Sequence, residues 1–128
     1  MRRIAAILLA AAWPAAASAL DCASAKTQFE INQCADRDFR KADAALNQVY
    51  ARLKARTTDP NSRKRLVAAE GAWLAYRDRE CDFETEDSIG GSIRTMELAL
   101  CYREKTVARA AELRKQLDCP EGDLTCAR

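Results

Sequence analysis

The sequence predicts an all-α fold, a small disulfide-stapled antiparallel bundle of three long helices plus a short N-terminal helix. Three observations lead there. Glycine and proline number only four and three in 128 residues, and they hardly interrupt stretches rich in Ala, Leu, Arg, Lys and Glu, a composition that favours helix. No stretch carries a strand signal. The six cysteines occur with no histidine and no C-x-x-C pair, which suits a disulfide framework better than a zinc site.

The first segment sets the compartment. Arg2 and Arg3 precede an apolar run from Ile4 to Ala12, then Trp13-Pro14 and small residues ending in Ala17-Ser18-Ala19. That is the order of a cleavable secretory signal, and the run is about half the length a spanning helix needs. Residues 1–19 are therefore set apart from the fold. Asp21 ahead of Cys22 argues against a lipoprotein signal, which needs a small residue there. Cleavage after Ala19 leaves 109 residues, enough for one domain, and equal numbers of basic and acidic residues, 19 of each. A balanced surface with no basic stripe argues against nucleic acid as a partner.

The elements follow in order. A first helical stretch is expected over about Ser24–Gln33, with Cys34–Asp38 as a junction where Asp36 caps the next helix. That second helix, about Asp36–Arg56, carries Phe39, Leu46, Val49, Tyr50 and Leu53 on one face. It ends at Thr57-Thr58-Asp59-Pro60-Asn61, a punctuated turn. A third helix from Pro60 or Asn61 toward Phe83 carries Leu66, Ala69, Trp73 and Tyr76, and is expected to fold back antiparallel on the second. Ser88-Ile89-Gly90-Gly91-Ser92 is the next turn. The last helix, about Ile93–Leu117, offers Met96, Leu100, Val107, Ala111 and Leu117 as its buried face. Domain 20–117 thus precedes a short stapled tail, 118–128.

All six cysteines follow the signal, so three disulfides are expected in an oxidising compartment. Fifteen pairings are open to six cysteines. The favoured set is nearest-neighbour, Cys22–Cys34, Cys81–Cys101 and Cys119–Cys126, because each closes across a break between elements. Loops of this size are worth about 2.5–3.5 kcal/mol apiece on chain-entropy grounds.

Nothing in the chain asks for catalysis. There is no histidine to act as a general base, and the carboxylates lie on helix faces with no cleft in which two could converge. No cofactor or metal is expected. Asp43 and Asn47 lie one turn apart on the second helix, Arg77 follows Trp73 by one turn, and Arg109 takes a similar place on the last helix. They could form a polar binding site between helices, but a structural network fixing helix register is the favoured reading. Between Arg77 and Asp87, six acidic residues (Asp78, Glu80, Asp82, Glu84, Glu86 and Asp87) stand against two basic ones. A solvated helix end would look like this; so would a patch that steers a cationic protein. Directly after it comes a loop held at its base by the proposed Cys81–Cys101 bridge. Glu84, Glu86, Asp87, Ser88, Gly90, Gly91, Ser92 and Arg94 are accordingly the candidate partner contacts.

Taken together, Cys22…Thr27-Gln28…Asn32-Gln33-Cys34, Asp43…Leu46-Asn47…Tyr50, Trp73-Leu74…Tyr76-Arg77-Asp78…Cys81, Gly90-Gly91-Ser92 and Cys101…Arg109…Leu113 resemble the N-terminal domain of the LprI-type lysozyme inhibitors of the bacterial envelope. The resemblance spans about Asp21 to Leu117. It implies a periplasmic or secreted inhibitor with a lysozyme as partner, and carries no established binding residues. The chain differs from the family's prototype in lacking a lipoprotein acceptor cysteine and in its extra pair, Cys119 and Cys126. The alternative function is a non-catalytic envelope module that binds another exported protein or a cell-wall fragment.

Overall fold

The computed structural model describes residues 20–120 and 122–126; the expected signal segment, 1–19, lies outside them. Three helices account for most of the described chain: α1 (Gln28–Arg56), α2 (Pro60–Glu84) and α3 (Arg94–Leu117), with one 3₁₀ turn at Glu86–Ser88. There are no strands among the described residues, and no helix there is long and apolar enough to cross a membrane.

The expected break at Cys34–Asp38 is absent, and the Ser24–Gln33 stretch runs straight into the second helix. No glycine or proline lies between Thr27 and Thr57 to stop it. The helix instead starts at Thr27 with a capping box. The Thr27 hydroxyl accepts from the Glu30 amide at 3.2 Å, and the Glu30 carboxylate accepts from the Thr27 and Lys26 amides, both at 2.9 Å. Asp36, expected as a cap, sits inside the helix and pairs with Arg40 one turn on, at 2.7 Å. Asp59 caps α2 by accepting from the Ser62 amide at 2.6 Å, with Pro60 at the first helical position where its missing N–H costs nothing.

The closest backbone approach is between α1 and α3, which run parallel; α2 is antiparallel to both and stands further off. Gln28 meets Met96, the tilted rings of Phe39 and Tyr102 lie 5.4 Å apart, and Arg56 reaches the Leu117 carbonyl, so the two helices advance together. Tight approach selects small side chains. Ala35 on α1 and Ala99, Thr106 and Ala110 on α3 are buried along this seam, above a larger cluster of Leu46, Val49, Leu53 and Leu113. The stripes repeat every seven residues, Ala35–Ala42–Val49 on α1 and Ala99–Thr106–Leu113 on α3, the period of a left-handed helix pair.

This seam corrects two expected faces. Leu100, Val107 and Ala111 are exposed, and the buried face of α3 is the neighbouring one, Ala99, Thr106, Ala110 and Leu113. Along the upper part of the seam the positions of α3 that face α1 are small, Ala99, Thr106 and Ala110, and Leu113 enters only at the lower cluster. On α2, Ala69 and Tyr76 are exposed, and Leu66, Glu70, Trp73 and Arg77 turn inward.

The disulfides are Cys22–Cys34, Cys81–Cys101 and Cys119–Cys126, with Cα–Cα separations of 5.7, 5.7 and 5.9 Å. The first ties the entry segment, which turns at Asp21–Ser24, to α1, the second ties the end of α2 to α3, and the third closes the tail on itself.

Packing along the seam makes Ala110→Leu destabilising by about 1–3 kcal/mol. Ala111→Leu, one position further and exposed, should stay within about 0.5 kcal/mol, as urea titration of both variants will show. Glu30 and Asp59 are held below the ordinary carboxylate range by the backbone amides of Thr27 and Ser62 respectively. A depressed folded value means the stabilisation is present above the unfolded carboxylate range and is lost as pH falls through the folded values. Melting temperature should therefore drop below about pH 4, and a Glu30→Gln, Asp59→Asn double variant should lose less over the same acidification.

Candidate functional site

Arginine 77 occupies the centre of the molecule. α2 has Arg63, Glu70, Arg77 and Glu84 at seven-residue intervals on one stripe, and the middle two, Glu70 and Arg77, are buried where a core helix would place leucines. Arg77 is 9 % and Glu70 6 % exposed. The Arg77 guanidinium carbon lies 5.4 Å from the Phe39 ring, 5.4 Å from Trp73 and 5.2 Å from Tyr102, one ring from each helix. Its nitrogens donate to Asp78 at 2.9 and 2.8 Å and to the Thr106 hydroxyl at 3.5 Å, and it pairs with Asp43 at 3.6 Å. Burial, reinforced by the Asp78 and Asp82 carboxylates, pushes the Tyr102 hydroxyl pKa above its ordinary value.

The four residues expected to form a polar network divide between two clusters. Asn47 donates to Asp43 at 3.0 Å, and Asp43 meets Arg77. Arg109 lies on the far side of Trp73, 5.8 Å from its ring, and pairs with Glu70 and Glu112, both at 3.0 Å. Among the described residues, every fully buried side-chain nitrogen or oxygen has a partner. The contacts of Arg77 and Arg109 run between helices, from α2 to α1 and α3. Sequence inspection missed Glu70 and Thr106; the seven-residue recurrence of charge on α2 was the available signal for Glu70.

The expected partner loop is built from its base upward. Thr85 ends α2 with its hydroxyl donating to the Cys81 carbonyl at 2.7 Å, and the Cys81–Cys101 bridge, with Cys81 fully buried, clamps α2 to α3 there. Ser88 and Arg94, expected to contact a partner, are committed to the loop itself. Ser88 is buried and donates to the Thr85 carbonyl at 2.8 Å. Arg94 donates to that carbonyl at 2.8 Å, to the Thr85 hydroxyl at 3.2 Å and to Asp82 at 3.1 Å. The Ser92 carbonyl accepts from Asn32 at 2.9 Å, tying the loop to α1. Gly90 has φ 80°, a left-handed conformation that disfavours side chains. A Cβ at Gly91 would come 3.1 Å from the Ser88 carbonyl oxygen.

The acidic stretch is partly neutralised. Glu84 accepts from Lys105 at 2.9 Å, and this bond holds the ammonium above its ordinary pKa. Its other oxygen lies near the Cys101 sulfur, which is spent in the bridge and donates nothing. Asp78 and Asp82 pair with Arg77 and Arg94. Glu86 and Asp87 have no cationic partner among the described residues and are exposed. Ile89 and Phe83, each 68 % exposed, flank them. The loop thus presents two free carboxylates, two apolar side chains and the Gly90-Gly91-Ser92 backbone on a braced frame. Two cysteine–carboxylate groupings close enough to hold a metal, Cys81-Glu84-Cys101 and Cys119-Asp123-Cys126, have their sulfurs in disulfides.

The packing of Arg77 predicts a graded series. Arg77→Ala empties the space between three rings and should cost about 2–5 kcal/mol, whereas Asp43→Ala, which removes the longer of the two ion pairs of Arg77, should cost about 1 kcal/mol. Chemical denaturation gives both values, and loss of the near-UV signal of Trp73 in Arg77→Ala alone would mark the guanidinium as the element that orders the ring.

Comparison with known proteins places this architecture. The family described as lysozyme inhibitor LprI matches residues 20–113. An uncharacterized protein of Rhizobium meliloti (strain 1021) is 34 % identical over 113 residues, covering 79 % of this chain and 81 % of the relative. No solved structure matches the chain. With the family match covering α1, α2, all but the last turn of α3, and the Cys22–Cys34 and Cys81–Cys101 bridges, the chain belongs to the LprI lysozyme inhibitor family.

Proposed function

We propose that the protein is exported, with residues 1–19 as its cleaved signal, and that it blocks a cationic lysozyme without itself catalysing a reaction. The supporting observation is the braced loop between α2 and α3, with Glu86 and Asp87 unpaired beside it. A loop already fixed in one conformation loses little entropy on docking, and free carboxylates next to it raise the encounter rate with a cationic enzyme. Glu86 and Asp87 steer, Phe83 and Ile89 supply apolar contact, and the Gly90–Ser92 backbone approaches the cleft that holds the enzyme's two catalytic carboxyls. Three disulfides fit an oxidising compartment, and family membership supplies the class of partner.

A lysozyme activity assay over a concentration series of the oxidised protein tests this, with dose-dependent inhibition that weakens as salt rises as the expected result. Glu86→Gln with Asp87→Asn should slow association several-fold at low salt and flatten the salt dependence, while Glu84→Gln, whose carboxylate is already paired, should act mainly on stability. Absence of inhibition across several lysozyme types would shift the function to another exported partner.

A further inference from the structure

Over residues 20–128 basic and acidic residues balance at 19 each, and that balance conceals a polarity. Between Arg52 and Arg65 lie six basic residues and one acidic residue, Asp59, at the pole formed by the end of α1 and the start of α2. The end of α3 brings Arg114 and Lys115 to the same pole. Two of these cations close helix ends: Arg56 donates to the Leu117 and Cys119 carbonyls, and Arg63 to the Thr57 carbonyl. The others, Arg52, Lys54, Lys64, Arg65, Arg114 and Lys115, form no ion pair among the described residues. Asp59, Asp118 and Asp123 are the described carboxylates nearby.

Apolar surface accompanies this charge. A shallow groove is lined by Lys54, Pro60, Arg63, Lys64 and Val67, with Val67 exposed. Beside Arg56, the tail closed by Cys119–Cys126 clamps no pair of helices, yet it presents Leu124 at 98 % exposure. A solvated leucine on a stapled turn that Arg56 joins to the basic pole matches an interfacial membrane contact, in which an apolar group enters the headgroup region and cations meet anionic lipid. A soluble polyanion would use the cations and leave Leu124 and Val67 without a role.

We propose that this pole docks on an anionic phospholipid bilayer, with Leu124 entering the interface. The 25 residues of α2 put the two poles about 37 Å apart, several times the screening length of about 8 Å at physiological salt. The acidic loop at the opposite pole is therefore free to receive a cationic protein while the basic pole faces the membrane. This inference does not depend on lysozyme being that protein.

Co-sedimentation of the oxidised, exported protein with mixed phosphatidylglycerol–phosphatidylcholine vesicles tests it, beside vesicles of phosphatidylcholine alone. Binding is expected to the anionic vesicles only and to weaken with salt. Lys64→Gln, Arg65→Gln and Lys115→Gln together should reduce it about a hundredfold, about fivefold per charge, with melting temperature unchanged; should the triple variant melt early, Lys64→Gln alone reads the fivefold step. Leu124→Ser should weaken binding several-fold even at high salt. Equal binding to neutral vesicles, no sedimentation with either, or capture by soluble polyphosphate without capture by vesicles would each overturn the proposal. Lysozyme inhibition by the triple variant is measured in parallel, so a failure at this pole is distinguishable from a failure of the loop.

Discussion

The Arg77 guanidinium, enclosed by Phe39, Trp73 and Tyr102, joins all three helices at one point. A charge taken out of water is costly unless it is both paired and hydrogen-bonded, and Arg77 has Asp43, Asp78 and Thr106 as well as three ring faces. The planar cation can stack on rings and donate in its own plane simultaneously, which a lysine could not do. The geometry of the bundle follows. α2 stands away from the other two helices because the space between must hold Trp73 and Arg77. α1 and α3 close on each other below it along a seam of alanine and threonine.

A bundle tied in this way leaves its ends to other devices. At one pole the Cys81–Cys101 bridge, the Thr85 and Ser88 hydroxyls and the Arg94 guanidinium brace a short connection whose backbone bonds are almost all internal. Charges that a linear sequence presents as one acidic block separate here into two kinds. Those that face a cation, Asp78, Asp82 and Glu84, are structural, and those that face solvent, Glu86 and Asp87, remain available. At the other pole arginines close the C-terminal ends of α1 and α3 by donating to their last carbonyls, and the remaining cations stay solvated. The result is a bundle with unpaired carboxylates at one end and solvated cations at the other.

The chain shares this architecture with the LprI family to which it belongs. The need for the bridges is physical: a domain of about a hundred residues with a narrow alanine seam buries little apolar surface, and cross-links compensate by restricting the unfolded chain. Two of the three bridges lie at helix ends, where fraying would begin.

Much of the architecture was legible in the linear chain. Helical composition, the Thr57–Asn61 turn, the Gly90-Gly91 turn and the spacing of six cysteines are local properties, set by backbone entropy, turn chemistry and loop closure, and each acts within a few residues of itself. The candidate residues Asp43, Asn47 and Arg77 were also legible, since a charge on an apolar stripe violates the pattern around it. The sequence alone could not assign which face of α3 is buried, because Leu100 and Val107 outscore Ala99 and Ala110 in any local ranking of hydrophobicity. Nor could it tell that Arg109 would take Glu70 as its partner, or that Ser88 and Arg94 would brace the loop they seemed to decorate. Those outcomes depend on how closely two distant helices approach and on which hydrogen-bond acceptors that approach brings within reach, and only the tertiary structure decides distances between residues far apart in the chain.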